Sequence, residues 1–198
     1  LFAHAVPMGQ AQDLDTAPVT NLSNSPDIVS RYADIAADCA GNVHVVWQEL
    51  DGGEDYVHSV NYSMWDGTSW TSPNAILVAP RVLLPSIAAD PQGNLHLVYL
   101  SFNSLFYTRT RGGSPWSAHS WSAPISVGQR IGDDHLHWHE LVLDDRGNLH
   151  MLYVNWRGES QRSYSEVYYI KSANGGETWS EAVQLSNPNE WAGLVGSS

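Results

Sequence analysis

The chain has 198 residues, 42% of them hydrophobic, which is enough for one sizeable core. Nine Lys plus Arg stand against twenty-one Asp plus Glu, a net charge of −12, and a field of that sign repels nucleic acid. No apolar run reaches about 18 residues, so no segment reads as a membrane-spanning helix.

In chain order, Leu1–Gln12 (LFAHAVPMGQAQ) carries the small-residue pattern Ala3-His4-Ala5. It reads as the end of a removed export signal or as an unstructured leader, and residues 1–16 are set apart from the fold on that ground. Ala17–Ser23 (APVTNLS) matches the outer strand at Ala182–Ser186 and is expected to be an orphan fourth strand. Then comes a repeat. Gly41–Trp47 (GNVHVVW) returns 52 residues later as Gly93–Tyr99 (GNLHLVY), and 54 residues after that as Gly147–Tyr153 (GNLHMLY). A period near fifty with strand-like content marks a β-propeller blade, a unit that cannot bury its faces alone.

Each repeat reads as four strands. An apolar strand ending in Asp comes first (Ala33–Asp38, Pro85–Asp90, His139–Asp144), then a Gly-Asn turn and the His-containing strand. A third strand follows (Val57–Ser63, Leu105–Thr110, Val167–Ser172), then a Gly-containing hairpin ending in Trp, then a fourth strand (Ala75–Val78, Pro124–Val127, Ala182–Leu185). Alternating apolar and polar residues between Gly, Asn and Asp turns support strands throughout, and no segment has a helical period. The predicted fold is an all-β partial propeller over residues 17–198. Its four-stranded blades fall at about residues 31–79, 80–128 and 129–186, with residues 187–198 leading toward a further blade. Propellers close with about 4–8 blades. Three blades and one strand make half of a six-bladed ring, open to completion by a longer chain, by a second copy or by another protein. The single Cys39 makes no intramolecular disulfide and is expected to be a buried, inert thiol.

The hairpin Ser172-Ala173-Asn174-Gly175-Gly176-Glu177-Thr178-Trp179 resembles the Asp-box (BNR repeat) of sialidase-type propellers, Ser-x-Asp-x-Gly-x-Thr-Trp, with Asn in place of Asp. Ser63–Trp70 is a degenerate copy, and Thr108–Trp121 keeps only a Gly-Gly pair and the Trp. The box is a structural device: small and polar residues make a tight hairpin and the Trp tucks beneath neighbouring strands. The resemblance implies a sialidase-like fold but not its chemistry. That family binds its substrate carboxylate with three arginines, the first in a Phe/Tyr-Arg-Ile-Pro motif. Here Arg81-Val82-Leu83-Leu84-Pro85 has the wrong spacing and Arg31-Tyr32-Ala33-Asp34 lacks the proline, so no catalytic residue is assigned.

Binding residues concentrate on variable loops held by a rigid scaffold. The rim opposite the Trp hairpins is the candidate face, and Arg31, Tyr32, Glu49, Arg81, Trp138, Trp156 and Arg157 are its candidate ligand-binding residues. Asp133-Asp134-His135-Leu136-His137-Trp138-His139-Glu140 is the densest constellation. In a regular strand His135, His137 and His139 share one side, where with Asp133 they form a candidate site for zinc or calcium. The repeated His44, His96 and His150 hold one position per blade, which fits packing rather than a metal ring.

The leading expectation is an extracellular or cell-surface module that binds a glycan or protein ligand without catalysis. One alternative is a glycoside hydrolase or lyase completed by further blades, with Glu49 or Asp51 facing Glu140 or Glu166. Another is a structural surface or appendage protein assembled through open sheet edges.

Overall fold

In the computed structural model, residues 19–50, 57–111, 115–129, 135–159 and 162–186 are described. They form three four-stranded antiparallel sheets, with the strands of each sheet in chain order. The first sheet is β1 (Val29–Ala37), β2 (Val43–Leu50), β3 (Val57–Trp65) and β4 (Asn74–Pro80). The second is β5 (Leu83–Ala89), β6 (Leu95–Ser101), β7 (Ser104–Arg109) and β8 (Ile125–Gln129). The third is β9 (His135–Leu143), β10 (Leu149–Glu159), β11 (Arg162–Ser172) and β12 (Val183–Gln184). The only helical element among the described residues is one 3₁₀ turn at Ala118–Ser120. The all-β blade architecture is therefore present, and the three sheets do not close into a ring.

Residues 19–23 pair with no strand and instead bend at Leu22 and Ser23. The fourth strands of the three sheets are β4, β8 and β12, so residues 19–23 supply an outer strand to none of them. The orphan strand expected at Ala17–Ser23 is thus not formed over its described part.

Apolar residues are buried between consecutive sheets. Val46, Val60, Tyr62 and Ile76 of the first sheet meet Ile87, Leu97, Tyr99 and Trp121 of the second. On the other face of the second sheet, Val98, Leu100, Leu105 and Tyr107 meet Leu141, Met151, Tyr153 and Ile170 of the third. The middle sheet is thus covered on both sides, and every residue of β6 is buried. Position in the stack, not sequence, decides burial: Ile87 and Leu141 are each 3% exposed, while Ile35, their repeat equivalent on β1, is 63% exposed.

The threefold motif is explained by one hydrogen-bonded unit built three times. Asp38 Oδ1 accepts the amides of Ala40 and Asn42, and Oδ2 accepts Asn42 Nδ2 at 2.8 Å and faces His44 Nε2 at 3.2 Å. His44 Nδ1 in turn meets Tyr62 Oη at 2.7 Å. Asp90, Asn94, His96 and Tyr107 repeat the arrangement, as do Asp144, Asn148, His150 and Tyr169. The glycine between turn and strand holds φ of +86°, +82° and +78° at Gly41, Gly93 and Gly147. No atom lies within 4 Å of an added Cβ at these sites, so backbone conformation and not space selects glycine. Burial alone would raise the Asp38 and Asp90 carboxyls, but the hydrogen bonds from Asn42 and His44, and from Asn94 and His96, hold both below the usual range. Burial pushes the His44 and His96 imidazoles down, against the pull of their aspartates. Each histidine is committed within its own sheet, so the three do not converge.

The same turn corrects the reading of Cys39, which is exposed. The inside of the turn is filled by the Asp38 carboxylate and its amide donors, so the residue at its corner is directed outward.

Candidate functional site

The inner strands β1, β5 and β9 lie side by side, β1 against β5 and β5 against β9. Each departs from regular pairing near the same end. The register shifts between Arg31 and Asp34, between Leu83 and Ser86, and in the third sheet between Val154 and Asn155 opposite Trp138 and Leu136. Such bulges bend a strand and re-aim its side chains. Tyr32 and Leu84 sit there in the left-handed region, at φ of +54° and +51°. Bulky residues rarely adopt it, and strain of this kind concentrates at binding sites. In the repeat alignment Tyr32, Leu84 and Trp138 are equivalent. Leu84 packs on the core, whereas Tyr32 and Trp138 are 46% and 45% exposed. Two aromatic faces are thereby presented from two inner strands.

Two residues further on stand Asp34, Ser86 and Glu140, again equivalent positions with divergent chemistry. Asp34 Oδ1 accepts the amide of Ile35 at 2.9 Å, and Oδ2 accepts that of Ile87 from the next sheet at 2.8 Å. Burial, and then the Asp34 charge, push the Glu140 carboxyl above its ordinary value. His139 is buried, with the carbonyls of Val98 and Leu84 against its ring. Burial drives its pKa down to about 4, against smaller upward pulls from those carbonyls and Asp34.

In the unfolded chain this imidazole titrates near 6.5, and in the folded protein it stays neutral to about 4. Between those values the unfolded chain holds the additional proton, so stability falls as pH drops through the window, by on the order of 3 kcal/mol across all of it. Urea midpoints measured at steps from pH 7 to pH 4 are expected to fall less steeply in His139→Phe than in the native protein. Equal slopes would show that His139 is not buried neutral.

The other expected residues are placed as follows. Arg31 Nε donates to Gln48 Oε1 at 3.4 Å, and its guanidinium lies 4.9 Å from the centre of the Tyr32 ring. Glu49 accepts from Ser25, Ser30 and Trp47 Nε1 through one oxygen. Glu166 is buried and accepts from Tyr168 Oη at 2.8 Å. Arg81 lies over Phe102 at 5.7 Å, on the neighbouring loop of the same rim. Trp156, half exposed, pairs with His135 at the end of β10. Asp51 and Asp133 lie outside the described residues, and of His135, His137 and Arg157 only the backbone is described.

The period-two reading of His135, His137 and His139 does not hold. The register shift inserts His137 as an extra residue between Trp138, paired with Val154, and Leu136, paired with Asn155. Leu136 and His139 are both buried while Trp138 is exposed, so alternation breaks between them. No group of three His, Cys, Asp or Glu suited to a metal ion occurs among the described residues. Sequence reasoning missed Asp34 and Ser86. The available signal was one repeat column, second in ADIAAD, PSIAAD and HELVLD, where chemistry changes while the flanking pattern stays constant.

Fold and rim together define a propeller-type all-β domain with its polar and aromatic groups at one end of the inner strands. No family model matches the sequence, and no curated protein matches it. Among solved structures the chain resembles a Dyadobacter fermentans protein of unknown function (TM-score 0.56, 12% identity, 78% of this chain and 54% of that one). It also resembles a Hadza microbial sialidase (0.54, 14%, 76% and 36%). A third is an α-L-arabinofuranosidase from Podospora anserina solved with cellotriose (0.52, 14%, 81% and 52%). At these identities the likeness concerns the fold. The chain spans 54%, 36% and 52% of those proteins' lengths.

Proposed function

We propose that the chain is a sialidase-like Asp-box propeller module of an exported protein that binds a glycan at the inner-strand rim. The observation that carries this reading is the pair of exposed rings, Tyr32 and Trp138, at equivalent bulges, each followed two residues on by a carboxylate, Asp34 and Glu140. Sugars present apolar C–H faces and hydroxyl edges. A ring takes the first and a carboxylate accepts from the second. Arg31 stacked on Tyr32 stiffens that ring, and Trp156 and Arg81 extend the surface. The fold shared with a sialidase and an arabinofuranosidase makes saccharides the ligand class to try first. The fold alone assigns no function.

Binding of cellotriose, sialyllactose and an arabinoxylan oligosaccharide, followed by titration calorimetry, tests the reading. One of the three is expected to bind, and Tyr32→Ala to weaken it about tenfold, the value of one lost stacking contact of about 1.4 kcal/mol. Absence of binding to every member would end the proposal.

A second reading, hydrolysis, is favoured by one observation, the raised Glu140 carboxyl beside Asp34, which suits a general acid. Under it, release of an aryl alcohol from an aryl glycoside is lost in Glu140→Gln.

A further inference from the structure

Ser86 Oγ and His139 Nε2 are buried and have no hydrogen-bond partner. Their surroundings place them together. Ser86 is the register partner of Val98, and the carbonyls of Val98 and of Leu84, two residues before Ser86, face the His139 ring. The next amide, that of Ile87, is the one held by Asp34. All three inner strands therefore meet at this level, directly behind the rim that carries Tyr32 and Trp138.

The two orphan atoms have complementary roles. With Nδ1–H donating to a backbone carbonyl, the unpartnered Nε2 carries the lone pair and is an acceptor. A serine hydroxyl donates or accepts. Buried polar groups without partners are rare and destabilising, so two of them on the neighbouring strands β5 and β9 mark a place suited to an oxygen that gives one hydrogen bond and receives another.

We propose that Ser86 and His139 form a slot that receives one hydroxyl group of the bound saccharide, an inference that rests on the glycan-binding reading above. The ligand O–H donates to His139 Nε2, and Ser86 Oγ–H donates to the ligand oxygen. A water molecule has the same hydrogen-bonding capacity as a ligand hydroxyl. A ligand hydroxyl that reproduces both bonds displaces it without enthalpic loss. The slot thus selects for a hydroxyl at one position of the sugar, since an analogue lacking it would strand both buried atoms.

Calorimetric titration of the same three oligosaccharides into the native protein, Ser86→Ala, His139→Phe and Tyr32→Ala tests this, with circular-dichroism melting as the check on folding. Ser86→Ala is expected to raise Kd about fivefold to tenfold, the worth of one hydrogen bond, and His139→Phe at least as much. If His139→Phe does not fold, Ser86→Ala decides alone. Loss of binding in Tyr32→Ala with Kd in Ser86→Ala within about twofold of native would overturn the slot and leave the glycan-binding reading standing. No binding by the native protein would overturn both.

Discussion

Gly176→Ala is expected to destabilise the protein by about 2–5 kcal/mol. Gly176 holds φ of +85° at the tip of the Ser172–Trp179 hairpin, where its amide donates to Ser172 Oγ at 2.9 Å. A Cβ there would overlap the Tyr107 phenol of the preceding sheet. That phenol cannot retreat cheaply: it donates to the Gly175 carbonyl at 3.0 Å, meets His96 Nδ1 at 2.7 Å and lies edge-on to Trp179. Arg109 also donates to the Gly175 carbonyl and pairs with Glu177. Overlap therefore drives the third sheet's hairpin off the second sheet. Left-handed backbone costs an alanine about 1–2 kcal/mol, and overpacking adds about 1–3 kcal/mol. Gly41→Ala is the internal control, because Gly41 has φ of +86° and open space where a Cβ would stand. Urea denaturation of both variants is expected to show Gly41→Ala losing about 1 kcal/mol only. Equal losses would mean the hairpin does not seat on Tyr107.

The second large effect is a difference between copies of one residue. His96→Ala is expected to cost about 3 kcal/mol and His150→Ala about 1 kcal/mol, although both histidines bridge an Asp and a Tyr at nearly identical distances. The His96 side chain is 2% exposed beneath the third sheet, whereas that of His150 is 30% exposed, on a face that no further sheet covers among the described residues. Removing His96 strands Asp90 and Tyr107 away from water; removing His150 leaves Asp144 and Tyr169 with access to it. Urea midpoints of the two variants decide the matter. A His150 variant as damaging as the His96 variant would show that the third face is as sheltered as the second.

What the sequence makes legible is whatever depends on neighbours along the chain. The strands follow from alternation, and the Gly-Asn turn follows from residues two, four and six positions on that bond to one aspartate. The burial of His96 and the exposure of Ile35 are different in kind. Both depend on which sheet stands next door, and equivalent repeat positions such as Ile35 and Leu141 are exposed in one sheet and buried in another. Bulges are equally silent. One extra residue at His137 breaks a period-two pattern that is otherwise well formed, and with it the shared face expected for His135, His137 and His139. Cys39 fails for a related reason: apolar character suggested burial, while turn geometry, set by Asp38, decided exposure. Tyr32 and Trp138 were visible as candidates. The bond from the Ile87 amide to Asp34 was not, because it forms across sheets.

A matched pair of tryptophans distinguishes the inner-strand rim from the hairpin rim as the ligand face. Trp138 is exposed on β9 at the inner rim, and Trp116 is exposed beside the second sheet's Trp hairpin, with its carbonyl taken by Asn74. Titration of the best-bound oligosaccharide into Trp138→Ala and Trp116→Ala compares the two faces in one experiment. Kd is expected to rise about tenfold in Trp138→Ala and to stay unchanged in Trp116→Ala if the inner-strand rim holds the ligand. Loss confined to Trp116→Ala would contradict it.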